Sequence, residues 1–130
     1  NPMASFSKDA DALLLVLSEL RKDILSYDLR CAMLAGMRER SERMLSEMTT
    51  RPDTDPHKAL AKMLWTAAMG TKEYEFTTPK LDAIKDALVV LGAQAIGSDD
   101  VQRVRTAMLW AGLLGYGYSG GKRATVDGKY

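Results

Sequence analysis

The sequence predicts an all-α fold: four to five helices in a bundle or an orthogonal array, followed by a glycine-rich, basic C-terminal tail. Three observations carry this. Apolar residues recur at three- and four-residue steps over most of the chain, the period of a helix with one buried face. Helix-start signals, Asp55-Pro56 and Thr78-Pro79, stand directly before two of these runs. Only one short segment, Tyr74-Glu75-Phe76, has strand character. The 130 residues suffice for one core. The helical domain is expected over 3–114 and the tail over 115–130. Apolar residues make up 46% and charged residues 27%, a composition too apolar for a disordered chain.

The first helix is expected to begin at Ser7, with Asp9 and Asp11 in its first turn, where carboxylates favour the positive end of the helix dipole. Leu13, Leu14, Leu17, Leu20, Ile24 and Leu25 form its apolar face. Tyr27-Asp28 reads as a break, although no proline rules out one helix from Ser7 to Met48. The second helix runs from Leu29 to about Met48, with Leu29, Met33, Leu34, Met37, Met44, Leu45 and Met48 along one side. Asp55 caps the third helix, Pro56 occupies its first turn, and Gly70 is expected to close it in the left-handed conformation. The fourth, opened by Thr78-Pro79, carries Leu81, Ile84, Leu88, Val89, Leu91 and Ile96 and ends at Gly97. Its second half, Ala87 to Ile96, is uncharged, which suits a central position in the core. The fifth runs from about Asp100 to Leu114, capped by Ser98 or Asp99. After it come Gly-Tyr-Gly-Tyr-Ser-Gly-Gly and Lys122-Arg123, read as a tail with at most one weak hairpin.

Simple counts exclude several kinds of function. One cysteine, Cys31, cannot form an intramolecular disulfide, and one histidine, His57, leaves a zinc site short of ligands. No apolar run reaches 18 residues, and no basic segment precedes an apolar one as in a signal peptide. Met3 reads as the natural start, with Asn1 and Pro2 left from cloning; an internal fragment is the alternative. Gly115, Gly117 and Gly120 match G-x-G-x-x-G, but they follow a helix rather than a strand, which argues against a nucleotide loop.

Charge is distributed unevenly. The net of +1 is the sum of −3 over residues 1–102 (13 Lys and Arg, 16 Asp and Glu) and +4 over 103–130 (5 and 1). Arg103, Arg105, Lys122, Arg123 and Lys129, with Tyr116 and Tyr118, make a candidate nucleic-acid contact: cations neutralise phosphates and tyrosines stack on bases. Arg38, Arg40 and Arg43 form a second basic cluster. Glu39, Glu42 and Glu47 interleave with it, and Glu39–Arg43 stands at i,i+4 spacing, so it reads as a salt-bridged solvent face. Of the 8 methionines, Met33, Met37, Met44 and Met48 share one face of the second helix. Such flexible side chains line adaptable binding surfaces, and they also fill cores. His57 reads as a surface residue, Cys31 as a buried inert thiol, and Glu73 and Glu75 as ordinary loop carboxylates.

The sequence thus points first to a non-enzymatic interaction or assembly module that docks a protein partner or itself through Met33, Met37, Met44 and Met48. A nucleic-acid-binding helical domain is the alternative. The two roles combine in small assembly proteins such as those of viruses and phages. No cofactor, no metal and no membrane association is expected, and a cytoplasmic, reducing location fits the lone thiol.

Overall fold

The computed structural model describes residues 2–20, 27–93, 95–114, 118–119 and 122–123. Five helices follow in order: α1 (Pro2–Leu20), α2 (Tyr27–Glu47), α3 (Pro56–Gly70), α4 (Thr78–Gly92) and α5 (Ser98–Trp110). Two short strands, β1 (Tyr118–Ser119) and β2 (Lys122–Arg123), then pair antiparallel. The fold is therefore an all-α five-helix bundle. Helix α1 packs between α2 and α4, α2 also packs on α3, and α3 on α4. Helix α5 lies against both α3 and α4. The space they enclose is filled by Phe6, Leu13 and Leu17 of α1, Met37 and Met44 of α2, Leu60 and Leu64 of α3, Ile84, Leu88 and Leu91 of α4, and Val104 and Met108 of α5.

Local chemistry explains the ends of α3 and α5. The Asp55 carboxylate accepts the His57 backbone N–H at 2.8 Å, with Pro56 in the first turn, as the dipeptide signal predicts. At α5, Gly97 is the N-cap residue, and the Asp100 carboxylate accepts the Gly97 N–H at 3.2 Å, one half of a capping box. Beyond Trp110, Gly112 turns left-handed at φ 76°. Its N–H donates to the Leu109 carbonyl at 3.0 Å, and the Leu113 N–H donates to Met108 at 2.8 Å. Those two bonds, with Leu113 and Met108 both buried, make a Schellman motif.

Several boundaries differ from the sequence reading. Helix α1 starts at Pro2, so Ser7 lies inside it rather than capping it. Helices α1 and α2 are separate elements, and Ile24 and Leu25 lie outside the described residues. Gly70 stays helical and α3 ends without a left-handed residue, because other groups satisfy its last carbonyls. Arg38 of α2 donates from Nε to Ala68 O (3.0 Å) and from Nη2 to Thr71 O (2.9 Å), and the Thr71 hydroxyl donates to Ala67 O (2.7 Å). The cap of α4 is Thr77, one residue earlier than expected, and α4 ends at Gly92, leaving Ile96 in the following loop. Tyr74-Glu75-Phe76 is loop, not strand.

Candidate docking face between α1 and α4

The methionine stripe does not form a surface. Met37, Met44 and Met48 are buried in the core, and Met33 is half-buried against it. Of the expected partner-binding residues Met33, Met37, Met44 and Met48, the last three thus lie in the core of the folded chain, where α1 and α3 cover them, and only Met33 keeps part of its surface open. No folded-state partner reaches the three buried side chains.

The arginines beside that stripe are partly exposed, and two of them also reach across to α1. Asp9 of α1, almost fully buried, accepts a two-pronged contact from Arg43: Nε donates to Oδ2 at 3.0 Å and Nη2 to Oδ1. Arg40 adds a bond to Oδ1 at 3.1 Å. The Arg43 hydrogen bonds outweigh the cost of burial and, with the charge of both arginines, hold the Asp9 carboxyl below its ordinary value. Asp9, in the first half of α1, thus meets the second half of α2, as an antiparallel pair requires. The interaction fixes how α1 is turned about its own axis.

Other polar candidates are dispersed. His57 is largely buried rather than on the surface, edge-on to Phe6 with ring centroids 6.3 Å apart, and its Nδ1 lies 3.4 Å from Asp55. Burial alone would raise the Asp55 pKa, but bonds from Arg51 and the His57 N–H lower it. Cys31 is half-buried rather than buried, and its thiol, one turn along α2 from Tyr27, raises the pKa of that phenol. Glu75 is tied to the Lys72 N–H at 2.7 Å. Among the described residues, no three His, Cys, Asp or Glu side chains are placed to share a metal ion, and no helix is long and apolar enough to cross a membrane.

Of the nucleic-acid candidates, Arg103 is exposed and sits 3.4 Å from Asp86, while Arg105 is half-buried. In the hairpin, Tyr118 is opposite Arg123 and Ser119 opposite Lys122. Tyr116 and Lys129 lie outside the described residues, as do Gly115, Gly117 and Gly120.

The feature that sequence reasoning missed lies between α1 and α4. On α1 the core side is Phe6, Ala10, Leu13 and Leu17, and Lys8, Asp11, Leu15 and Ser18 are exposed at the same three- and four-residue steps. On α4, Leu81, Ile84, Leu88 and Leu91 are buried, while Asp82, Lys85 and Val89 are exposed. A groove of about 380 Å³ is lined by Leu14, Leu17 and Ser18 of α1 and Lys85 of α4, so one residue of each exposed row, Ser18 and Lys85, borders it. Leu15 is 72% exposed and Val89 52% exposed. Each lies three or four residues from a groove-lining residue, Ser18 and Lys85 respectively. Val89, expected in the core, is thus outside it. A signal was present in the run Leu13-Leu14-Leu15-Val16-Leu17, which is apolar around more of the helix than one buried stripe needs.

Searches of family models, of curated proteins and of solved structures find no match to this chain.

Proposed function

We propose that this chain is a non-enzymatic helical module that acts by contact, and that its α1–α4 face docks a second copy of the chain. The observation that carries this is the pair of exposed aliphatic side chains, Leu15 and Val89, one on each of the two helices that line the groove. The charge on that face favours a like partner. Lys8 and Asp11 on α1, and Asp82 and Lys85 on α4, balance to zero and stand in reversed order along their helices. A neutral face with both signs interspersed meets its own copy without net repulsion, as a two-fold interface requires. Full burial of a Leu or Val side chain contributes about 1.5–3 kcal/mol. The loss of rigid-body freedom offsets much of that, so the expected dimer is weak, dissociating in the micromolar range.

Sedimentation equilibrium from about 1 μM to 1 mM tests this. Mass should rise from monomer to dimer, and Leu15→Glu or Val89→Glu should hold the protein monomeric with unchanged far-UV circular dichroism. A monomer throughout that range, or a dimer indifferent to both substitutions, overturns the proposal.

A further inference from the structure

Helix α5 leads into a part of the chain with a different electrostatic character. From Arg103 to Val126 there is no acidic residue, while Arg103, Arg105, Lys122 and Arg123 are basic. Within that stretch, Arg103 and Trp110 stand seven residues apart on one side of α5, two turns along the helix. Both face solvent: the Arg103 side chain is 51% exposed and Trp110 72% exposed. Trp110 is the last residue of the helix, so its ring is at an open end of the bundle. The Schellman turn at Gly112 then redirects the chain, and only three residues separate Leu114 from Tyr118. The four residue steps from Leu114 to Tyr118 span at most about 14 Å, which limits how far β1, and the β2 dipeptide paired with it, can stand from the end of the bundle.

We infer that this end of the molecule, Trp110 with Arg103 and the Lys122-Arg123 dipeptide, binds single-stranded nucleic acid. An exposed indole offers a flat apolar face on which an unpaired base stacks, whatever its identity, and cations one or two turns away take the phosphates on either side. In a duplex the base faces are covered by their neighbours, so a lone exposed ring has nothing to stack on. The pairing of Arg103 with Asp86 does not block this. Both groups are about half exposed, and a guanidinium exchanges such a surface partner for the two oxygens of a phosphate. The proposal uses neither Leu15 nor Val89, so its test and that of the α1–α4 face change different residues.

The test is the fluorescence anisotropy of a labelled oligothymidylate of about 16 nucleotides, titrated with the full chain between about 50 and 200 mM salt. Binding is expected to weaken as salt rises and to exceed that of a duplex of the same length. Trp110→Ala should weaken it about tenfold or more, and Trp110→Phe should retain most of it. Replacing Lys122 and Arg123 together by alanine should reduce the slope of log affinity against log salt by about 1.4. A Trp65→Phe background leaves Trp110 as the sole tryptophan, and its emission should be quenched on binding. No binding at the lowest salt, equal affinity for the duplex, or an unaffected Trp110→Ala variant with native helicity would overturn the inference.

Discussion

The methionine stripe of α2 and the Leu15–Val89 rows of α1 and α4 are built on the same helical spacing, yet one lies inside the molecule and the other outside. Met44 is fully buried, whereas Leu15 keeps nearly three quarters of its surface in water. The difference does not come from side-chain chemistry, since both are flexible and apolar. It comes from which face of its helix each occupies. Helix α2 packs on α1 and α3, and α1 packs on α2 and α4; the methionines lie on the covered face of α2, whereas Leu15 lies on α1 opposite the covered face formed by Phe6, Ala10, Leu13 and Leu17. A covered stripe holds the fold together, and an uncovered one is available for contact.

The largest expected effect tests that distinction directly. Met44→Ala should lower unfolding free energy by about 3 kcal/mol, since it removes buried methylenes and leaves a cavity that its neighbours only partly fill. Leu15→Ala, measured in urea below the concentration at which a dimer forms, should change stability by no more than about 0.5 kcal/mol. Comparable losses for the two variants would show that something covers Leu15 in the monomer, and the contrast between the two stripes would collapse.

How far this was legible in the sequence depends on how local each cause is. The Asp55-Pro56 start of α3 was readable because the cap and the group it satisfies are two residues apart. The apolar face of α2 was readable from spacing, but its burial was not, because the covering residues belong to other helices. The partners of Arg40 and Arg43 lay out of reach for the same reason. Glu39 is four residues from Arg43 and looks like its partner, while the carboxylate that binds it, Asp9, is 34 residues away. In α1, periodicity put Leu13, Leu14 and Leu17 on the apolar face and left Leu15 off it, as the structure has it, but an isolated exposed leucine gave no sign of which other helix stood beside it. Val89 was placed inward because the second half of α4 is uncharged, and lack of charge is a weaker constraint than packing. Gly112 was read through as helix since the turn it makes depends on a left-handed φ, which composition does not mark.

The second prediction concerns what holds α1 in the rotation that leaves Leu15 outside. Asp9→Asn keeps the shape of the side chain but removes the charge that Arg43 and Arg40 surround, and should cost about 2 kcal/mol at neutral pH in urea denaturation. The wild-type interaction also has a defined pH sign. Arg43, more than Arg40, lowers the folded-state pKa of Asp9 below 3.8, the unfolded reference. The stabilisation is complete above that value and is lost as pH falls from it towards the folded one. The gap between wild type and Asp9→Asn should therefore narrow on acidification below pH 3.8. No gap at any pH would mean that Asp9 contributes shape alone, and that packing on α4 sets the rotation of α1.

The smallest effect is expected at the end of α5, where an exposed aromatic again stands beside a buried neighbour. Trp110 is outside, Leu113 is inside, and the turn at Gly112 sends one away from the core and the other into it. A Cβ added at Gly112 meets no atom within 4 Å, so Gly112→Ala isolates the backbone cost of a side chain at φ 76°. That cost is about 1 kcal/mol. Asparagine tolerates the left-handed region through local hydrogen bonding, so Gly112→Asn should recover part of the loss. If alanine proves neutral, the left-handed turn is not what directs Leu113 into the core. The separation of Trp110 from Leu113 would then rest on the apolar pull of the Met108–Leu113 contact alone, and Leu113→Ala should become the more damaging change.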